Sequence, residues 1–210
     1  MKNLRSEVVK YAKMLNSKKL SALRSGNISA RYKEGFLITP SGVKYSLLKN
    51  KDIVFVSLKG EFDKKKGIPS SEWRFHQDIY LNKINAKAIV HAHSNYATAI
   101  STHGKGIPAF HYMVAMAGGN DIKCAKYGTF GTRKLSKNIL KALVRRNACL
   151  IGNHGQIAFS ENLSKAFELA EEVENLSNQY IKALKIGKPK ILSSIEMKKV
   201  LRKAKNYKRG

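Results

Sequence analysis

The sequence has few cysteines and no long apolar run, and each shortage excludes a class of protein. Its two cysteines, Cys124 and Cys149, have no paired spacing, so neither a disulfide framework nor a cysteine-based zinc site is predicted. No apolar run approaches the roughly 20 residues needed to span a bilayer. The N-terminal segment lacks the continuous apolar core of a signal peptide, because Leu4, Val8 and Leu15 fall on one face of a helix instead. We therefore expect a cytoplasmic protein with no membrane partner.

Acidic residues are also scarce, which leaves a formal net charge of +26 from 40 lysines and arginines against 14 acidic residues. Such a balance suits binding to nucleic acid or another polyanion. The excess is mostly lysine and is scattered through nearly every segment, and no RNA- or DNA-reading motif accompanies it. Residues 182–210 are the most concentrated stretch, with eleven basic side chains and one acidic one. We interpret this stretch as a solvated basic helix and tail, expect no specific nucleic-acid partner, and keep polyanion binding as a distant alternative.

The pattern of apolar residues predicts one α/β domain over residues 1–210, since no repeat, linker or change of composition divides the chain. Helical spacing occurs at the start, after Ser71, around Ile139 and most strongly over residues 163–180, where Asn162 is the predicted N-cap. Short apolar segments predict strands at 36–39, 53–57, 88–93, 148–151 and 156–159. Consecutive strands often have no helix between them, so we expect a mixed or antiparallel sheet covered by helices.

Two histidines, His91 and His93, lie one residue apart inside the predicted strand at 88–93. Side chains in a strand alternate with a period of two, so both imidazoles project from the same face. A pair of histidines at this short spacing can arise by chance. Alone, the pair fits a metal site and an ordinary, partly solvated sheet face about equally. His154 is the best third ligand, because it ends another apolar segment just before a glycine that allows a tight turn. Three neutral imidazoles with one open position form the catalytic zinc arrangement.

The segment PSSEWRFH, residues 69–76, places Ser70 and Ser71 at a predicted helix start. Backbone N–H groups and hydroxyls at a helix start can bind phosphate, although N-capping is the ordinary role of serine there. Glu72 follows and could reach a metal or act as a general base, although a first-turn glutamate is also a common partner of the helix dipole. Alone, the segment is therefore weak evidence for a phosphate site beside an acid/base. Other parts of the chain must supply the rest of such a site.

Two glycine-containing segments add to this pattern, namely SGNIS at 25–29 and TPSG at 39–42. Each combines small hydroxyls with a glycine that permits close backbone approach, and each alone is an ordinary turn. Together with the two serines they predict a phosphate-binding cradle without a P-loop. The sequence contains no G-x-x-x-x-G-K, G-x-G-x-x-G or G-x-S-x-G motif, which argues against a nucleotide enzyme or a serine hydrolase.

The ordered set SGNIS, TPSG, PSSEWRFH, VHAH, HYMVAMAGG, IKCAKYGTFGT and NHG resembles the class II, zinc-dependent sugar-phosphate aldolases, and most of all those that act on L-fuculose 1-phosphate. The resemblance runs over nearly the whole chain. It implies a three-layer α/β/α fold on a largely antiparallel sheet, one Zn²⁺ per chain and a fourfold-symmetric homotetramer with active sites between subunits. The implied reaction is reversible cleavage of a ketose 1-phosphate into dihydroxyacetone phosphate and a small aldehyde such as L-lactaldehyde.

The resemblance also implies a role for individual residues. The zinc ligands fall on His91, His93 and His154. The acid/base falls on Glu72, which in this family can also occupy the fourth zinc position before substrate displaces it. The proton donor at the aldehyde oxygen falls on Tyr112 of a neighbouring subunit. The phosphate contacts fall on Asn27, Ser41, Gly42, Ser70 and Ser71, and the aldehyde end is bordered by Phe130 and Tyr207.

Other members of the same family keep the three-histidine site, so they stand as alternatives. These are the 4-epimerases of ribulose phosphates and the dehydratases of methylthioribulose 1-phosphate. The segments HYMVAMAGG and YGTFGT favour the aldolases, which makes the epimerase the second interpretation. The chain departs from the family pattern at Arg24, Ser41, Asn153 and Gln156.

Overall fold

The computed structural model describes residues 2–207, and the side chains of residues 3–204. The strands are β1 Asn27–Tyr32, β2 Gly35–Ile38, β3 Val54–Ser57, β4 Ala88–Ala92, β5 Cys124–Ala125, β6 Ala148–Ile151 and β7 Gly155–Ser160. The helices are α1 Lys2–Ser17, α2 Trp73–Asn82, α3 Asn95–Ser101, α4 Arg133–Ala142, α5 Leu163–Ile186 and α6 Ser194–Tyr207. Within this described part, no helix is both long and apolar enough to cross a membrane.

All seven strands form one sheet in the order β3-β2-β1-β4-β7-β6-β5. Every neighbouring pair is antiparallel except β5 and β6. Strand β4 lies in the middle, paired with β1 on one side and with β7 on the other. The expectation of a largely antiparallel sheet is therefore confirmed.

Helices cover both faces of the sheet and divide the core into two apolar clusters. Ala88 and Val90 of β4 pack in the cluster that α1, α3 and α5 cover. Ile89 packs on the opposite face, in the cluster that α2 and α4 cover. The three-layer α/β/α arrangement is confirmed. Since side chains alternate along a strand, His91 shares the face of Ile89 and points toward α2.

Most of the predicted elements are present, and two differ from the prediction. The segment SGNIS was expected as a turn, but its last three residues begin β1, whose first four residues are buried. The prediction was wrong because the glycine and small polar residues of SGNIS were interpreted as a turn, although Ile28 and Ala30 alternate with Asn27 and Ser29 as in a strand. The basic helix expected from about residue 182 is also differently placed, because α5 continues to Ile186 and a separate helix begins at Ser194.

Two glycines let backbone segments approach the end of β4 closely. A Cβ atom on Gly155 would lie 2.3 Å from the carbonyl oxygen of Ala92, so only glycine lets β7 start against β4 here. A Cβ atom on Gly26 would lie 2.6 Å from the carbonyl oxygen of His91. The turn that carries His154 and the loop before β1 therefore both meet the strand that carries His91.

The side chain of Asn162 caps α5, because its Oδ1 accepts a hydrogen bond of 2.9 Å from the backbone N–H of Lys165. We expect Asn162→Ala to lower the free energy of unfolding by about 1 kcal/mol, since one orphan N–H of the helix loses its partner. Asn162→Asp keeps an acceptor at the same place and should retain the stability of the unmutated chain. Urea unfolding of the three proteins measures the difference. Equal stability of Asn162→Ala and the unmutated protein would contradict the capping role.

Candidate metal and anion site

Four side chains from separate parts of the fold converge on one point. Glu72 immediately precedes α2, His91 lies in β4, His93 follows β4, and His154 lies in the turn between β6 and β7. One ligand atom from each residue lies within 4.8 Å of the others. The Nε2 atoms of His91 and His93 are 2.9 Å apart. The two carboxylate oxygens of Glu72 lie 3.1 Å from His91 Nε2 and 3.2 Å from His154 Nε2.

The hydrogen bonds around this cluster show that its donor atoms suit a metal ion. His91 Nδ1 lies 2.8 Å from the backbone carbonyl of Gln156, which can only accept, so Nδ1 carries the proton. In neutral His91 the Nε2 lone pair therefore points into the cluster. Glu72 Oε1 is buried and faces His154 Nε2 at 3.2 Å. A buried carboxylate that faces imidazoles is stabilised by positive charge at their common point, and a divalent cation can supply that charge to all four groups at once.

The electrostatics of the cluster favour the protonation states of metal ligands. Burial alone would raise the pKa of Glu72, but its electrostatic and hydrogen-bonding interactions with His91 and His154 outweigh burial and hold the pKa well below its ordinary value. Burial lowers the pKa of His93 to about 3, and the nearby His91 and His154 act in the same direction. At neutral pH, Glu72 is therefore ionised and His93 is neutral.

A cavity of about 220 Å³ opens beside the cluster, and Glu72 and His93 line both. Phe130 and Arg24 also line the cavity. The cavity is further lined by all five residues that the family resemblance links to phosphate, which are Asn27, Ser41, Gly42, Ser70 and Ser71. Folding thus brings together three segments that lie far apart in the sequence, at 24–27, 40–42 and 70–72.

Backbone hydrogen bonds join the walls of this cavity. The backbone N–H of Ser70 donates to Thr39, and that of Ser41 donates to Ile68, each at 3.0 Å. The guanidinium of Arg24 donates to the carbonyl of Gly42 at 3.0 Å and so joins the segment at 24–27 to the segment at 40–42. Among the described residues that line the cavity, Arg24 is the only permanent cation. Hydroxyls, amides and one guanidinium around a small space form a site suited to an anion.

The other three predicted residues, Phe130, Tyr112 and Tyr207, lie in different parts of the structure. Phe130 is 64% exposed and lies at the mouth of the cavity. Tyr112 is 54% exposed, and its ring packs against His111 with centroids 4.9 Å apart. Among the described residues, no hydrogen bond or ring contact joins Tyr112 to the four-residue cluster. Tyr207 ends α6, and its side chain lies outside the described part of the chain.

Several contacts that support the site were not predicted from the sequence. The Oγ of Ser21 accepts a hydrogen bond of 2.9 Å from the backbone N–H of His93. The Nδ2 of Asn27 donates to Glu72 Oε2 at 3.0 Å, a contact with the carboxylate rather than with a substrate. Gln156 contacts His91 through its backbone carbonyl, which leaves no signal in the side-chain pattern. Arg24 stood out only as a departure from the family pattern next to SGNIS.

Comparison with known proteins gives concordant results. The family described as Class II Aldolase and Adducin N-terminal domain matches residues 6–181. The 5-methylthioribulose-1-phosphate/5-deoxyribulose-1-phosphate aldolase of Rhodospirillum rubrum is 46% identical over 204 residues, which cover 97% of this chain and 92% of the relative. The L-fuculose phosphate aldolase of Escherichia coli K12 is 48% identical over 184 residues, which cover 87% of this chain and 85% of the relative.

A solved structure shows the same likeness in three dimensions. An L-fuculose 1-phosphate aldolase superposes with a TM-score of 0.93 at 38% identity, covering 97% of this chain and 96% of that chain. The likeness therefore extends to the three layers, the sheet and the segments that carry the cluster and the cavity. The chain belongs to the class II aldolase family.

Proposed function

We propose that the chain is a zinc-dependent aldolase that reversibly cleaves a ketose 1-phosphate of the L-fuculose 1-phosphate type into dihydroxyacetone phosphate and a small aldehyde such as L-lactaldehyde. The observation that carries the proposal is the adjacency of the three-histidine cluster to the 220 Å³ cavity, because Glu72 and His93 line both. A metal ion at one end and an anion site at the other suit a short phosphorylated substrate that spans them.

We propose that His91, His93 and His154 hold one zinc ion per chain, with Glu72 as a fourth ligand until substrate binds. Bound there, the metal supplies Lewis-acid stabilisation of the negative charge that develops on the substrate oxygens when the carbon–carbon bond breaks. Glu72 moves the proton at C3, for which it is well placed because it is buried and belongs both to the cluster and to the lining of the cavity.

The walls of the cavity bind the phosphate group and thereby orient the substrate. In this proposal the hydroxyls of Ser41, Ser70 and Ser71 and the backbone of Gly42 contact the phosphate, and Arg24 supplies a positive charge. Holding the phosphate fixes the position of the carbon chain relative to Glu72. The proton transfer then takes place between groups that are already positioned within one complex.

The aldehyde end of the substrate requires residues that one chain does not bring to the cavity. Tyr112 is largely exposed and away from its own cluster, which supports its supply by a neighbouring copy in a homotetramer. There it would transfer the proton at the C4 oxygen. Phe130, at the mouth of the cavity, and Tyr207 would border the aldehyde.

A second candidate substrate is 5-deoxyribulose 1-phosphate, which the name of the relative from Rhodospirillum rubrum includes. The match to that relative covers 97% of the chain, whereas the match to the L-fuculose phosphate aldolase from Escherichia coli covers 87%. Cleavage of 5-deoxyribulose 1-phosphate breaks the same bond and releases the same phosphorylated product. Only the aldehyde differs, so the cluster and the anion cavity serve both substrates equally. A polyanion-binding role accounts for the net charge but not for the convergent histidines.

The substrate is tested by incubating the purified protein with L-fuculose 1-phosphate, 5-deoxyribulose 1-phosphate and 5-methylthioribulose 1-phosphate, and by measuring release of dihydroxyacetone phosphate with a coupled dehydrogenase. We expect the highest kcat/KM with L-fuculose 1-phosphate. A higher value with either ribulose derivative would make the second substrate the correct one. Conversion of a ribulose phosphate to its C4 epimer without release of dihydroxyacetone phosphate would contradict the aldolase reaction.

The metal is tested by replacing each histidine in turn. We expect the dialysed protein to hold close to one zinc per chain, and His91→Ala, His93→Ala and His154→Ala each to lose zinc and activity while remaining folded by circular dichroism. His103 is exposed and outside the cluster, so His103→Ala serves as the control and should keep both. Full activity in excess chelator would refute the metal site.

The roles of Glu72 and Tyr112 are separated by two partial reactions. Glu72→Gln should slow the exchange of the C3 proton of dihydroxyacetone phosphate with solvent by about 10²–10⁴-fold, as expected when a positioned base is removed. Tyr112→Phe should leave that exchange in place and slow cleavage of the ketose 1-phosphate. Exchange is followed by NMR in D₂O and cleavage by the coupled assay. Equal losses of both reactions in both variants would count against separate roles.

A further inference from the structure

A line of polar side chains runs between β1 and α2 and ends at Glu72. Strand β1 contributes Asn27 and Ser29, which are two residues apart and share a face. Helix α2 and the residue before it contribute Glu72, His76 and Tyr80, which are four residues apart and share a face. We call these five residues the polar seam. The two sets interdigitate, so each β1 side chain lies between two side chains from the helix.

Consecutive members of the polar seam are hydrogen-bonded. Asn27 Nδ2 lies 3.0 Å from Glu72 Oε2, and Asn27 Oδ1 lies 2.5 Å from His76 Nε2. Ser29 Oγ lies 2.7 Å from His76 Nδ1 and 2.8 Å from the hydroxyl of Tyr80. The seam thus connects the carboxylate of the metal cluster to the interior of the sheet without a gap.

The polar seam is almost completely buried within a layer that is otherwise apolar. His76 and Ser29 are 0% exposed, and Asn27 and Tyr80 are 2% exposed. Phe75 stacks near the His76 ring, with centroids 4.9 Å apart, and holds its plane. Buried polar groups stabilise a protein only when each finds a partner, so a continuous network in an otherwise apolar layer points to a function beyond stability.

The direction of every hydrogen bond in the polar seam follows from Glu72. An ionised carboxylate can only accept, so Asn27 must turn its NH₂ toward Glu72 and its Oδ1 toward His76. His76 Nε2 must then donate, which leaves Nδ1 to accept from Ser29. Burial and the nearby His91 lower the pKa of His76 to about 3, so the ring is neutral and carries a single proton at neutral pH.

We infer that His76 is a positioning residue for Glu72, which it orients through Asn27. By donating to Asn27 Oδ1, His76 fixes the amide so that Nδ2 holds Glu72 Oε2. The other oxygen, Oε1, takes no part in the seam and faces His154 Nε2 at 3.2 Å, so in this inference it is the oxygen that exchanges the proton with substrate. Asn27 also lines the anion cavity, so the same amide lies between the phosphate site and the base.

The inference rests on the proposed function for its catalytic consequence, but its structural part can be tested alone. Long-range ¹H–¹⁵N spectra of the histidine rings in the zinc-loaded and metal-free protein report which nitrogen carries the proton. We expect His76 to be the Nε2–H form in both. A proton on Nδ1 would overturn the inference whatever the enzyme does, whereas failure of the aldolase reaction alone would leave this result unchanged.

The catalytic consequence is tested with two replacements of His76. His76→Leu removes the donor to Asn27, whereas His76→Gln can place an amide N–H near the position of Nε2. We expect His76→Leu to slow the proton exchange of dihydroxyacetone phosphate, per bound zinc, by about 10–100-fold, the usual cost of losing a supporting residue behind a metal site. His76→Gln should recover most of that rate, and the KM for the phosphorylated donor should change much less than kcat.

Gln77 provides a matched control because it is a buried polar neighbour on the same helix, bonded to the Leu58 carbonyl at 2.8 Å and outside the polar seam. Gln77→Leu should cost stability without slowing exchange per bound zinc. Equal exchange rates in His76→Leu, Gln77→Leu and the unmutated protein would show that the seam is only structural. If His76→Leu fails to fold, the comparison of His76→Gln with the unmutated protein and the tautomer spectra still decide the inference.

Discussion

The arrangement of the site depends on a buried carboxylate that faces three imidazoles. Taking an ionised carboxylate out of water costs several kcal/mol unless partners replace its hydration. The fold provides those partners from several elements at once: Asn27 from β1, His91 from β4 and His154 from the turn before β7. Because no single element could hold Glu72 in this state, the cluster exists only when the central strands and the start of α2 are all in place.

The central position of β4 explains why these elements meet. Its antiparallel pairing with β1 puts Asn27 directly opposite His91, and its pairing with β7 brings the turn with His154 to the same end. Gly26 and Gly155 have no Cβ atom, so the loop before β1 and the start of β7 can lie directly against the backbone of β4. The site therefore lies at the end of the central strand β4, where two loops converge. The sheet beneath these loops fixes their positions.

The cavity beside the cluster is lined by hydroxyls, amides and one arginine and contains no glycine-rich phosphate loop among its described lining residues. The net charge of +26 is scattered along the sequence, whereas Arg24 is the only permanent cation among the described residues that line the cavity. A distributed positive field can attract anionic ligands over a distance, but the orientation of a bound anion depends on short directional contacts. Charge and recognition are thus separate properties of this chain.

The local features of the protein were determined by the sequence alone. Helices α1, α2, α4 and α5, the strand at 88–93, the cap at Asn162 and the shared face of His91 and His93 depend on side-chain periods that operate within a few residues. The ordered motifs predicted the family and the three-layer fold, and the family match and the superposition confirm both. Other features were decided only by tertiary structure. Strand β1 was missed because Asn27 and Ser29 alternate with Ile28 and Ala30 in a segment that is also typical of a turn, and the burial of its polar face is recognisable only when α2 packs against it. The hydrogen bonds that link Asn27 with Glu72 and with His76 join residues 45 and 49 positions apart, and they form because α2 packs on the sheet beside β1 rather than from any local pattern.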